Sequence, residues 1–131
     1  NLTELADNFM HELSGGERQR VWIAMSLAQN SSYLFLDEPT TYLDIRFQFE
    51  IMQLIRNLNH QQGKTIIMVL HEIQHALNYA DYILLLNHGK IYSYATVEEV
   101  IKSGAIEEVF KIEIKKFTED NKNHFVICNK A

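Results

Sequence analysis

Tyr33-Leu34-Phe35-Leu36-Asp37-Glu38-Pro39-Thr40 is a compact apolar run that stops on two neighbouring carboxylates and the only proline of the chain. Four consecutive apolar residues suit a buried strand, and a proline cannot continue one. A strand that delivers two carboxylates at its C-terminal end is the arrangement that magnesium–nucleotide chemistry requires. On this reading Asp37 holds the magnesium, directly or through water, and Glu38 orients and polarises an attacking water as a general base. The plainer reading is a solvated strand end, where Asp-Glu pairs are common.

Downstream of that stretch, Asp44 caps a helix running to about Gln61, with Phe47, Ile51, Leu54, Ile55 and Leu58 along one face and Gly63 at its end. Thr65 to Leu70 is β-branched and apolar, a second buried strand. A helix from about Ile73 to Ala80 and a strand from Tyr82 to Asn87 follow. His88-Gly89 then turns the chain into Ile91 to Ala95 as a hairpin. Thr96 with Glu99 forms a capping box that opens the C-terminal helices at Val97 to Lys102, and the tail predicts a small hairpin around Asp120-Asn121. Upstream, Thr3 to Phe9 predicts a short helix broken by His11 to Gly16. The helix Glu17 to Gln29 is so rich in apolar residues that it predicts burial on most sides, with Trp22 in the core. Strands separated by helices indicate an α/β fold with a largely parallel sheet.

The segment that opens this upstream helix is Leu13-Ser14-Gly15-Gly16-Glu17-Arg18-Gln19-Arg20. Two glycines at a helix start leave backbone N–H groups pointing outward at the positive end of the helix dipole, and Ser14 adds a hydroxyl. Taken alone, Ser-Gly-Gly is a cap and a tight entry. Taken whole, the octapeptide resembles the ABC ATPase signature motif. Asp37-Glu38-Pro39-Thr40 then resembles that family's Walker B end, Thr41-Tyr42-Leu43-Asp44 its D-loop, and His71 its switch histidine, all in the family's order.

The resemblance implies the C-terminal part of a P-loop NTPase (ABC ATPase) fold together with the end of its helical subdomain. Residues 1–30 would hold the subdomain end and signature, 31–95 the catalytic core, and 96–131 the C-terminal helices and hairpin. It implies ATP and Mg2+ as ligands, Asp37 for the metal, and Glu38 and His71 as catalytic residues. Ser14, Gly15, Gly16, Glu17 and Asp44 would act on nucleotide, the signature residues on that of the partner subunit. The stretches from Arg20 to Gln29, Asp37 to Asp44 and Gly63 to His71 are similar to those of iron-siderophore and haem importers. This implies a homodimer of ATPase subunits on the cytoplasmic face of the membrane. The dimer would drive inner-membrane permease subunits that receive the chelate from a substrate-binding protein.

Glu17 stands where Gln is commoner in the family, and Glu72 follows the switch histidine where Asp is usual. Walker A, the A-loop aromatic and the Q-loop lie upstream of a signature motif in the family, and twelve residues precede Leu13 here. The chain alone is therefore expected not to hydrolyse ATP. The sheet is expected to lack a strand between Thr65–Leu70 and Tyr82–Asn87, inviting self-association through exposed edges.

Composition excludes other classes. A net charge of −5 with scattered basic residues argues against nucleic acid. One cysteine, Cys128, excludes an internal disulfide framework. Acidic Glu4, Asp7 and Glu12 do not suit a signal peptide, and no apolar run nears the ~18 residues of a membrane span. Gly63-Lys64-Thr65 mimics the end of a phosphate loop, but Leu58 stands where its first glycine belongs. His71-Glu72-Ile73-Gln74-His75 matches the zinc-hydrolase pattern, yet His71 closes a strand and the following helix is short. A non-catalytic module that docks on a complete ATPase is the remaining alternative.

Overall fold

The computed structural model describes residues 3–119 and 122–129. The chain forms two compact units, Asn1–His71 and Glu72–Ala131.

In the first unit, short 3-10 turns at Thr3–Leu5 and Met10–Glu12 precede α1 (Gly15–Ala28), β1 (Tyr33–Asp37), α2 (Ile45–Gln62) and β2 (Thr65–Val69). The expected N-terminal helix is thus a single 3-10 turn, and a second lies in the predicted break. β1 and β2 pair in parallel, with Tyr33 opposite Thr65 and Asp37 opposite Val69.

α2 connects the two strands, and its length is set by its caps. Asp44 Oδ1 accepts the Phe47 N–H at 3.1 Å. At the other end Gly63 takes φ 63°, a left-handed conformation that glycine adopts without steric penalty, and its N–H donates to Asn59 O at 3.0 Å. Gly63-Lys64 is therefore a helix cap and turn leading into β2. Ile51, Met52, Ile55 and Leu58 make the buried stripe of α2.

Burial corrects two expectations. The strands are covered on one face only: Leu34 is buried, whereas Tyr33 and Phe35 of β1, with Ile67 and Val69 of β2, are exposed. Parallel strands normally have both faces covered, and the alternation here means that only one face is packed. Likewise α1 buries only Gly16 and Ile23, while Trp22 is 55% exposed and lies outside the core. An apolar sequence announces a wish for burial; no described residue supplies the cover on that side.

The second unit holds α3 (Ile73–Tyr79), β3 (Tyr82–Asn87), β4 (Lys90–Thr96), α4 (Val97–Ser103), α5 (Ala105–Phe110), β5 (Ile112–Glu119) and β6 (Lys122–Asn129). β3 and β4 form the expected hairpin, turning through His88 (φ 48°) and Gly89 (φ 72°). Two successive positive φ values match the right-handed twist of the flanking strands. The Thr96–Glu99 capping box forms, with the Glu99 carboxylate accepting the Thr96 N–H at 3.0 Å. Gly104, at φ 70°, closes α4 and starts α5. β5 and β6 pair antiparallel, while the expected turn at Asp120-Asn121 lies outside the described residues. Leu77, Ile83, Leu85, Val100, Ala105, Ile106 and Phe125 form this unit's core.

Among the described residues the strands make three two-stranded sheets, of which only β1–β2 is parallel. The expected largely parallel sheet is thus represented by one pair. A parallel pair requires a helical crossover, and α2 is the element that provides one.

Candidate functional site

The loop between β1 and α2 carries the candidate carboxylate Glu38, and its backbone is tightly held. Glu38 follows β1 directly, and its N–H donates to Val69 O at 3.1 Å, so the backbone of the catalytic candidate is fixed to β2. Pro39 and Thr40 are buried behind it. Glu38 and Tyr42 adopt φ values of 47° and 63°, a region that costs non-glycine residues roughly 1–3 kcal/mol each. A loop held in such a conformation is over-determined by its surroundings, and this one aims a carboxylate.

Two side chains grip that carboxylate. His71 Nε2 lies 2.5 Å from Glu38 Oε1, and Thr41 Oγ1 donates to Glu38 Oε2 at 3.1 Å. The parallel register brings the ends of β1 and β2 level, so residues 33 positions apart in sequence meet at the strand ends. Asp37, the last residue of β1, is exposed beside them.

The signature segment forms a capping box around α1. Ser14 Oγ accepts the Glu17 N–H at 3.4 Å, and Glu17 Oε2 accepts both the Ser14 N–H at 2.8 Å and the Ser14 hydroxyl at 2.6 Å. The Ser14 hydroxyl bond, then its backbone N–H, then the charge of Arg20 hold the Glu17 carboxyl below the usual carboxylate range, against a desolvation effect that acts the other way. A carboxylate already sits at the helix N-terminus and occupies the Ser14 hydroxyl. A phosphate arriving there has to share or displace it.

Gly16 is buried, and a Cβ at its position would lie 2.9 Å from the Phe47 ring. The helix start carrying Ser14, Gly15 and Gly16 therefore touches the first turn of the helix that Asp44 caps. The structure brings together Glu38 with His71, Ser14 with Glu17, and the Gly15-Gly16 entry with the Asp44 loop.

Sequence reasoning placed Thr41 and Arg20 in motifs and Phe47 on a helix face without giving them partners, and missed Glu50. Thr41 stood three residues after Glu38, a spacing at which a side chain can reach back in a turn. The Arg20–Glu50 ion pair, 3.2 Å long, spans thirty residues and left no local signal.

The zinc pattern fares differently. α3 begins at Ile73, so His71 is off the helix that the pattern requires. His71 faces Glu38, and His75 is buried with Nδ1 3.9 Å from Glu72 Oε2. Among the described residues no group of three or more His, Cys, Asp or Glu side chains could hold a metal ion.

Comparison with known proteins points one way. The ABC transporter family matches residues 1–41. The iron(3+)-hydroxamate import ATP-binding protein FhuC of Bacillus subtilis (strain 168) is 44% identical over 122 residues, covering 93% of this chain and 45% of the relative. An inward-facing ABC transporter described as metal-chelate type superposes with a TM-score of 0.87 at 28% identity, covering 99% of this chain and 53% of that one. A dimeric ATP-binding cassette in a post-hydrolysis state bound to ADP and Pi gives a TM-score of 0.65 at 36% identity, over 72% of this chain and 40% of the other. The chain thus spans about half the length of the curated relatives it matches.

Proposed function

Because this chain belongs to the ABC transporter ATP-binding family, we propose that it supplies the signature and catalytic-carboxylate portion of an ATP-hydrolysing subunit that drives import of an iron chelate. The observation that carries the reading is the Glu38 carboxylate, clamped between His71 and Thr41 on a strained loop. Glu38 takes a proton from the attacking water. His71 and Thr41 hold the carboxylate in one orientation, so little reorganisation remains when the water attacks.

Asp37 is the residue that would hold Mg2+. A single exposed carboxylate fits this ion, which takes one or two carboxylates and completes its shell with phosphate oxygens and water. When bound, the ion neutralises phosphate charge during transfer. The N–H groups of the Gly15-Gly16 entry and the Ser14 hydroxyl face the nucleotide of a partner subunit, with Asp44 shaping the loop beside them. Glu17 acts there by holding or releasing the Ser14 hydroxyl.

In this reading residues 1–30 end a helical subdomain and residues 31–95 carry the catalytic core. The intact subunit works as a homodimer at the cytoplasmic face of the membrane, on permease subunits fed by a binding protein. No helix among the described residues is long and apolar enough to cross a membrane. The import reading draws its support from the hydroxamate-import relative and the metal-chelate-type neighbour.

The test is Glu38→Gln in the intact protein. Removing a general base lowers turnover about 10²–10⁴-fold while ATP still binds. Turnover within a factor of two of the parent would sink the assignment.

A further inference from the structure

The starts of α1 and α2 are joined by more than one contact, through Phe47 and Glu50. The Phe47 backbone N–H is the group that Asp44 caps. Its ring lies against Gly16, leaving no room for a Cβ there. The Arg20 guanidinium carbon sits 5.6 Å from the ring centroid, within cation–π range. Arg20 Nη1 then donates to Glu50 Oε2 at 3.2 Å, and Glu50 Oε1 accepts from Arg46 Nε at 3.0 Å. Glu50 lies one turn after Phe47, so the ring and the carboxylate present one surface to Arg20.

The Arg20 side chain is only 24% exposed, and its Nε is shielded with no hydrogen-bond partner among the described residues. A guanidinium so placed depends on its remaining partners. Without the Glu50 carboxylate it is a partly desolvated charge on an aromatic ring. Gly15 also lies close to the Asp44 loop: a Cβ built at this glycine would rest 3.6 Å from Leu43 Cδ2.

We propose that Arg20, Phe47 and Glu50 are positioning residues that lock the Ser14–Gly16 entry to the Asp44 loop, so that both approach a partner subunit's nucleotide as one rigid body. The proposal rests on the ATPase reading above. None of the three belongs to the Ser14–Gly16 entry or the Asp37–Asp44 stretch; they act through Gly16 and through the cap of α2. Closure of the dimer then needs one docking event in place of two independently ordered loops.

The test uses the intact protein carrying Glu38→Gln, in which ATP is bound without turnover. Dimerisation driven by ATP is followed by sedimentation velocity, and ATP binding to the monomer by a fluorescent analogue. Glu50→Gln, which alters charge but not shape, and Arg20→Met are expected to weaken dimerisation about tenfold each, and the double variant no more than either alone, as for partners in one interaction. Monomer affinity for nucleotide is expected to stay within twofold. Arg20→Lys keeps the charge but not the planar fork, and should fall between parent and Arg20→Met. If Arg20→Met does not fold, Glu50→Gln carries the test. Dimerisation that is unaffected, or that falls only in step with melting temperature and monomer affinity, overturns the locking role. A Glu38→Gln parent that neither binds ATP nor dimerises refutes the ATPase reading itself, and the locking role with it. A parent that dimerises beside variants that do so equally well refutes the locking role alone.

Discussion

Gly15 and Gly16 are adjacent and chemically identical, yet the structure assigns them opposite tolerance to a methyl group. Gly16→Ala places a Cβ 2.9 Å from Cγ and Cδ1 of Phe47 and 3.4 Å from its Cβ. These are the stem and inner ring of a side chain rather than a flexible tip, so the ring cannot swing clear without leaving Arg20 and the first turn of α2. Overpacking of this kind costs about 1–3 kcal/mol. Replacing glycine by alanine in a helix returns at most about 1 kcal/mol, and less in the first turn. The net expectation is a loss of about 1–2 kcal/mol. For a chain of 131 residues this corresponds to a fall in Tm of about 3–10 °C. Gly15→Ala meets only Leu43 Cδ2 at 3.6 Å, an ordinary contact, and should leave Tm within about 1 °C. Phe47→Leu, which removes the ring, should relieve Gly16→Ala, so that the double variant is less destabilised than the sum of the singles. Calorimetry on the protein, the three single variants and the double variant decides the matter. Equal melting temperatures for Gly15→Ala and Gly16→Ala, or strict additivity with Phe47→Leu, would refute the packing argument.

His71→Ala removes one of the two groups orienting the Glu38 carboxylate and should lower kcat about 10²-fold, measured by phosphate release; an unchanged kcat would remove His71 from the site. The Glu17 and Glu99 carboxyls both lie below their usual range because each is hydrogen-bonded by the residue it caps, Ser14 and Thr96 respectively. Their contribution to stability is complete above the unfolded carboxyl pKa of about 4.3 and is lost as pH falls through the lower folded value. Glu99→Gln should therefore flatten the dependence of Tm on pH between about 5 and 3, and an identical slope would show the carboxylate to be uninvolved. Thr96→Ala, which deletes the cap of α4, should cost about 1 kcal/mol in urea unfolding, against no change if the capping hydrogen bond is idle. His88→Asn places Asn-Gly in the β3–β4 turn, where both residues have positive φ, and should raise Tm slightly; a fall would contradict the turn geometry.

Wherever a local rule governs the backbone, the structure follows the sequence closely. Asp44 and Gly63 bracket α2, Thr96 and Glu99 open α4, and His88-Gly89 turns the hairpin. Each of these is a chemical preference acting over a few residues. The candidate site could be nominated for a related reason, since Ser14 to Arg20 and Asp37 to Asp44 are contiguous peptides that resemble family motifs in the family's order. Long-range facts were not legible. Trp22, Phe35 and Ile67 read as interior residues because apolar patterning says what a side chain prefers and not what stands opposite it. The Arg20–Phe47–Glu50 junction and the Thr41 grip on Glu38 depend on how distant or strained segments meet, and no periodicity encodes that.

The pairing of β1 with β2 also makes the intervening chain a ruler. Asp37 stands level with Val69, and that alignment brings His71 to Glu38. α2 has eighteen residues between a fixed cap at Asp44 and a fixed stop at Gly63. One residue inserted within it would rotate everything beyond by about 100° and advance it about 1.5 Å, turning the buried stripe aside before β2 is reached. Length changes in this stretch are therefore tolerable only in whole turns, or at the exposed Gly63 corner where the helix has already ended. The spacing between a carboxylate and the imidazole that steadies it is set by counting residues along the helix between them.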